Sequence, residues 1–394
     1  MQGIPQQYLD LYLQLRRQIG QFKATVADNW DGVKYAPASF GAECVPADNY
    51  KNLLSMSYYT QSVLPYLDRL AQLGCKSVKF QLGFPILSEA FWSGWVVPNG
   101  YDLNRLAAYR TRYALLVSDI HARGMKVIAQ SQHMEISRGS SWNVAGYYAT
   151  LDWSAYKAGR QANILEVAGN LGLSANDFLI LQSEPDNEAA MTGQGNLVNV
   201  SLDVAMVSEF LAALDSAGLN TMVVGAGCGS WFQKYVEHVQ ALVALPDLNL
   251  IDVHVYPVNL AGTGGSFWQR FIALCEIARA AGKQLGCSES WVNKTRDSEV
   301  GVLLNDITFS RNVYSFFQAL DIDFRAAMVG TGHWKQFAFQ SASFSRQLFA
   351  YVDYNAAPNG TPAELDALQN QATLAAITAG SFSEGGLDYQ RLIA

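Results

Sequence analysis

What the chain lacks narrows the field first. It has five cysteines among 394 residues, spread far apart at Cys44, Cys75, Cys228, Cys275 and Cys287. An odd count without metal-type spacing argues against a disulfide framework or a zinc site. These thiols read as small buried hydrophobes. Charged residues make up only 15% of the chain, and the net charge is −7 with Lys and Arg scattered. A nucleic-acid partner is therefore not expected. No apolar run reaches the roughly 18 residues that span a bilayer, so no membrane partner is expected either. Residues 1–5, Met-Gln-Gly-Ile-Pro, show no basic segment leading into an apolar one. No signal peptide is visible in the given chain, and an extracellular or periplasmic location would require that one had been removed. Histidines number five and no His-x-His occurs, so no metal and no cofactor are expected.

Half the residues are hydrophobic, enough for one large or two ordinary domains with a substantial core. Residues 5–30 read as an amphipathic helix, with Tyr8, Leu9, Tyr12, Leu13, Leu15, Ile19 and Phe22 as its inner positions. It is an extra element at one end of the fold. Short apolar runs then alternate with helical patterns. The strands are expected at Ala38–Cys44, Ser77–Leu82, Lys126–Gln130, Phe178–Gln182, Thr221–Gly225, Leu250–Tyr256, Lys283–Ser288 and Ala326–Gly330. Helices are expected between them, among them Asn104–Ala122, Asp152–Asn170 with Asp152 as N-cap, Leu202–Ala217, Phe232–Leu245, Ser266–Ala281 and Asp306–Leu320, with Pro362–Ala379 closing the chain. Glycines such as Gly124 and Gly282 stop helices just before strands.

Eight strand–helix units imply a parallel sheet, and in under 400 residues they imply an α/β (β/α)8 TIM barrel. The barrel occupies residues 36–380 of one domain spanning 1–394, with 1–35 as a helical extension and long loops at the C-terminal face. An open doubly wound sheet would carry a Gly-rich fingerprint after its first strand. Gly262-Thr263-Gly264-Gly265 has the wrong position and spacing, and reads as a loop.

One stretch organises the chain. The apolar run Phe178–Leu181 ends in Gln182, Ser183, Glu184, Pro185, Asp186, Asn187 and Glu188. Three carboxylates at the end of one buried strand are costly without a reason. The seventh strand ends likewise, in Ser288, Glu289, Ser290 and Trp291. Barrel sites lie at the C-terminal strand ends. That rule gathers at one mouth Glu43, Gln81, Gln130, His133, Glu135, Gln182, Glu184, Asp186, Glu188, His254, Tyr256, Glu289, Trp291, His333 and Trp334. Two glutamates at two strand ends are what glycoside hydrolysis requires, and crowded carboxylates can separate their protonation states.

On these residues the chain resembles clan A of the retaining glycoside hydrolases and is distantly similar to family 5. Ser183-Glu184-Pro185 looks like the Asn-Glu-Pro of that clan's fourth strand, and Glu289 matches its seventh-strand glutamate. His254-Val255-Tyr256 is similar to the family's His-x-Tyr, and Trp334 looks like its sugar-platform tryptophan. Two departures stand out. Ser183 replaces the asparagine, and Gln81 or a neighbour stands where family 5 has an arginine.

The resemblance implies a retaining β-glycosidase acting on a β-linked oligo- or polysaccharide, with Glu184 as acid/base and Glu289 as nucleophile. Tyr256 would hold Glu289, and His254, Trp334, Trp291, Ser183, His133 and Glu188 would line the substrate site. The two carboxyls should then lie about 5–5.5 Å apart. The alternatives are a carbohydrate-binding barrel without catalysis and a metal-dependent barrel hydrolase.

Overall fold

The computed structural model describes residues 3–100, 102–134, 142–186, 199–231, 233–256, 267–296, 299 and 311–394. Eight strands form a closed barrel: β1 (Ser39–Glu43), β2 (Ser77–Gln81), β3 (Lys126–Gln130), β4 (Phe178–Gln182), β5 (Val223–Gly229), β6 (Leu250–His254), β7 (Gln284–Ser290) and β8 (Phe337–Ala342). Each pairs in parallel with the next, and β8 closes onto β1 through Ser39–Phe339 to Ala42–Ala342. The fold is a (β/α)8 barrel.

The longer helices are α1 (Leu9–Asn29), α2 (Leu64–Gln72), α3 (Asn104–Ala122), α4 (Trp153–Asn170), α5 (Val200–Ser216), α6 (Lys234–Leu242), α7 (Phe267–Ala280), α8 (Gln318–Trp334), α9 (Pro362–Ala379) and α10 (Glu384–Ile393). Local chemistry sets their ends. Asp152 caps α4 by accepting from the Ala155 amide at 2.7 Å. Gly124 and Gly282 follow α3 and α7 with φ of 71° and 74°, a left-handed turn that a side chain would oppose. Among the described residues no helix is long and apolar enough to cross a membrane.

The eighth strand is not Ala326–Gly330. That stretch lies inside α8, and the strand begins at Phe337. The misreading has a physical cause. The barrel covers one side of α8 and α1 covers the other, so its Ala327–Gly330 segment is apolar and buried all round and reads like a short buried strand. A Cβ on Gly330 would sit 2.8 Å from Val26 of α1, and one on Gly332 would sit 2.8 Å from the Phe40 ring of β1. The expected helix Asp306–Leu320 falls partly outside the described residues. Its remainder is two short 3-10 turns, Arg311–Val313 and Ser315–Phe317, leading into α8.

Helix α1 does not close an end of the barrel; it runs along the wall. Tyr8 packs on Phe316 and Phe317, Lys23 pairs with Asp323, and Trp30 stacks on His333. Its inner face is Leu11, Tyr12, Leu15, Ile19, Phe22 and Val26, while Leu13 is exposed. Phe22 stacks on Trp268 of α7 with ring centres 3.8 Å apart.

The barrel interior has two layers. Ile128, Phe178, Ile180, Leu250 and Phe339 form an apolar plug. The Phe178 and Phe339 rings approach to 4.6 Å from strands on opposite sides, so the contact crosses the lumen. Burying each such side chain contributes on the order of 1.5–3 kcal/mol. Gly286 makes room for this plug, since a Cβ there would lie 2.4 Å from the Phe339 ring. Toward the C-terminal ends a polar layer begins, and it holds the candidate site.

Candidate active site

The polar layer is buried, so each of its groups needs a partner. Its first feature is an ion pair. Lys79, wholly buried on β2, places its ammonium 2.7 Å from Glu289 Oε1 and 3.9 Å from Glu43 Oε2. The other oxygen of Glu43 accepts from the Ser345 amide at 3.3 Å.

Glu184 follows β4, beyond an irregularity in the pairing with β5 between Ile180 and Gln182. Gln182 turns outward there and donates to Asp203 of α5 at 3.0 Å. Glu184 Oε1 lies 2.7 Å from His254 Nδ1 and accepts from the Tyr256 hydroxyl at 2.6 Å. The same hydroxyl is 2.7 Å from Glu289 Oε2. Tyr256 thus stands between the two carboxylates with one proton to give. Its phenol is pushed well above the usual tyrosine range by burial, then by Glu184 and Glu289.

His254 is the hub of the layer. Its Nε2 is 2.8 Å from Ser288 Oγ and 3.3 Å from Asp252 Oδ2. Ser288 donates to Asp252 Oδ2 at 2.5 Å, and its amide donates to Asp252 Oδ1 at 2.7 Å. Burial pulls the imidazole down. Glu289, together with hydrogen bonds to Asp252 and Glu184, outweighs it and raises the histidine to about 10. Gln130, from β3, places Nε2 3.2 Å from each of Ser183 Oγ, His254 Nε2 and Ser288 Oγ.

Asp186, two residues past Glu184, accepts from the Tyr235 hydroxyl and from Trp231 Nε1. Burial and the charge of Glu184 raise it to about 6. An aromatic arc rims this side. Trp231 stacks on Tyr256 at 5.1 Å, Tyr256 meets Trp291 at 5.0 Å, and Trp291 meets Phe344 at 4.6 Å.

The expected residues divide into several groups. Glu184, Glu289, Tyr256, His254 and Trp291 come together at the C-terminal strand ends. Ser183 is buried beneath them, facing Gln130. His133 is at the end of β3 but does not reach the glutamates. It stacks on Tyr148, meets the Tyr156 hydroxyl at 2.9 Å, and is lowered to about 3 by burial and by Arg160. It is a packing residue that ties down the chain after β3.

Trp334 and His333 are at the opposite end. They finish α8, ahead of β8, and His333 accepts from the Tyr35 amide. The misplaced eighth strand carried them to the wrong face. Glu188, Glu135 and Gly262–Gly265 lie outside the described residues.

Sequence reasoning missed Lys79, Asp252, Trp231 and Phe344. The first two left a signal. A lysine inside the apolar run Val78-Lys79-Phe80 requires a buried anion. Asp252, His254 and Tyr256 alternate along one strand and so face one side.

Glu184, His254 and Glu289 bring ligand-type atoms within 4.8 Å of one another. These atoms are already engaged by Lys79, Tyr256 and each other. The set is suited to holding and moving protons. Glu289 faces an ammonium while Glu184 faces an imidazole and a phenol, so two nearby carboxylates sit in different surroundings, as acid and nucleophile roles require.

No protein-family model and no curated protein matches the sequence. Among solved structures, the chain is similar to the GH5_18 protein from Bifidobacterium longum subsp. infantis, at 13% identity and a TM-score of 0.54 over 90% of this chain and 78% of that one. The GH5_18 protein of Bifidobacterium longum subsp. longum ATCC 55813 is similar to the same degree, with 13% identity, a TM-score of 0.54 and the same coverage of 90% and 78%. The likeness is one of architecture: the chain shares with these proteins the closed eight-stranded parallel barrel.

Proposed function

We propose that this protein is a glycoside hydrolase that cleaves β-linked oligo- or polysaccharide with retention of configuration. The observation that carries the reading is the bridging of Glu184 and Glu289 by one hydroxyl, that of Tyr256, with Glu184 and Glu289 offering oxygens within 4.8 Å. That spacing leaves no room for a water between them, and retaining enzymes work at about 5–5.5 Å. The two Bifidobacterium proteins of the same fold are family 5 glycoside hydrolases, in keeping with this reading.

In the first step Glu289 attacks the anomeric carbon and Glu184 protonates the departing oxygen. The glycosidic bond breaks, the alcohol leaves, and the sugar remains as an ester on Glu289. In the second step Glu184 takes a proton from water, which attacks the same carbon and releases Glu289. Lys79 balances Glu289 when it is free. Tyr256 can donate to either carboxylate as their charges alternate. Trp291, Phe344 and Trp231 offer flat faces to sugar rings.

Azide chemistry tests the assignment. Glu184→Ala should lose about 10²–10⁴-fold on substrates whose leaving group needs a proton. It should still form the glycosyl-enzyme from a dinitrophenyl glycoside, and azide should restore turnover with a β-glycosyl azide product. Glu289→Ala should give only an α-azide. Sugar binding without turnover of any β-glycoside by the unaltered protein would instead favour a binding barrel.

A further inference from the structure

The chemistry proposed above uses Glu184, yet the structure ties Glu184 to a longer chain of groups. It runs Glu184, His254, Ser288, Asp252 and is buried throughout. His254 Nδ1 reaches Glu184 at 2.7 Å. Its Nε2 reaches Ser288 Oγ at 2.8 Å and Asp252 Oδ2 at 3.3 Å. Ser288 hands its own proton to Asp252 at 2.5 Å. Each ring nitrogen therefore faces an oxygen, and a ring with both nitrogens protonated satisfies both.

The remaining neighbours agree. Gln130 presents its amide to His254 Nε2 at 3.2 Å, and its buried Oε1 has no partner. Turning that amide over would give Nε2–H a further acceptor. Around the ring stand Asp252 on its own strand, Tyr256 beyond it, Ser288 and Glu289 from β7, and Glu184 after β4. Lys79 is on Glu289's other oxygen. Asp186, past Glu184, is held by Tyr235 and Trp231. Apart from the Gln130 amide and the Tyr256 hydroxyl, which lies 2.9 Å from Nδ1, the ring's nearest neighbours are carboxylates and the Ser288 hydroxyl.

Resting on the glycosidase reading, we infer that Asp252 is a positioning residue that acts through Ser288 and His254. It keeps on the His254–Glu184 pair the one proton that Glu184 passes to the leaving group. In the resting pair the proton sits on Nδ1 of an imidazolium facing the Glu184 carboxylate. It moves along the 2.7 Å bond to Glu184 as Glu184 protonates the glycosidic oxygen, leaving a neutral ring. When Glu184 later removes a proton from water, the pair regains it. One proton leaves and one returns, and Asp252 stays ionised throughout. The raised basicity of the ring, to about 10, fits this placement.

The pair then loses its last proton as a unit, and the alkaline limb of the pH–rate profile belongs to both groups. Removing the Asp252 charge makes that proton easier to lose. Asp252→Asn keeps the shape and should move the alkaline limb of kcat/KM for an alkyl glycoside down by about one pH unit, the usual scale for one buried charge partner. Ser288→Ala should move it the same way. Dinitrophenyl glycosides, which leave without a proton, should show little change in glycosylation rate.

Nitrogen-15 NMR of histidine-labelled protein provides a readout independent of turnover. The chain has only five histidines, and a His254→Asn variant assigns the resonance. The unaltered protein should show both His254 nitrogens protonated at neutral pH, and Asp252→Asn should lower the ring's titration. If the NMR shift appears while no glycoside is ever hydrolysed, the Asp252–His254 coupling stands and the glycosidase reading fails. The inference is overturned by a neutral His254 in the unaltered protein. It is equally overturned if the variants lower the melting temperature but leave the resonance and the alkaline limb in place, or move that limb upward.

Discussion

Lys79 and Glu289 meet at 2.7 Å inside the barrel, one from β2 and the other from β7, and the lysine has no exposure at all. A buried ion pair is costly to assemble and more costly to break. Lys79→Met leaves Glu289 and Glu43 facing each other without a cation. It should destabilise the protein by about 3–5 kcal/mol and remove hydrolytic activity, whereas Lys79→Arg should retain part of both. Denaturant unfolding and hydrolysis of an aryl glycoside, on the same preparations, check this.

Asp186 gives a pH-dependent prediction. Its folded value of about 6 is above the roughly 3.9 of an unfolded aspartate. Between those values the folded protein holds a proton that the unfolded chain releases. The cost of ionising Asp186 is absent below about pH 4 and grows as pH rises to about 6. Asp186→Asn should therefore melt close to the unaltered protein at pH 4 and above it at pH 7. Melting temperatures across that range decide the matter, and a constant gap would show that Asp186 is not raised.

The tryptophans at the two ends of the barrel should behave differently. Trp291→Ala and Phe344→Ala remove rings from the arc beside Tyr256 and should raise KM for an oligosaccharide several-fold. Trp334→Ala, at the far end of α8, should leave KM unchanged. Steady-state kinetics on a β-linked oligosaccharide distinguish the two ends.

All five cysteines are free and buried. Reductant should change neither activity nor melting temperature, and a thiol reagent should label the native protein far more slowly than the unfolded one. A melting temperature that falls with dithiothreitol would contradict the free thiols.

Most of the barrel was legible because its strands are buried on both faces. Short apolar runs such as Phe178–Leu181 between glycine-stopped helices have few other uses. The eighth unit failed for a reason outside any local window. Helix α8 takes its apolar character from α1, some 300 residues away in sequence, so its Ala-Ala-Met-Val-Gly stretch mimics a strand. The real β8 contains Gln340 and Ser341 and looks like a loop. The glutamates were legible because their chemistry interrupts an apolar pattern. Lys79 interrupts one too, but its partners, Glu289 and Glu43, come from β7 and β1, and only closing the barrel brings them to it. Asp252 was overlooked because His254 and Tyr256 drew attention to the end of β6 rather than its middle.

The packing of α1 along α8 has a consequence for how the chain reaches this state. Residues 9–29 find most of their packing surface only once residues 318–334 exist, with Trp268 of α7 supplying part of the rest. Strand β1 can pair with β2, but its other edge waits for β8, and its Gly41 carbonyl accepts from Tyr389 of α10 at 2.7 Å. A chain growing from residue 9 toward residue 334 therefore keeps much of the apolar face of α1 uncovered until α8 is made. Closure of the ring and concealment of that helix become a single late event, and chaperone demand should be greatest just before it.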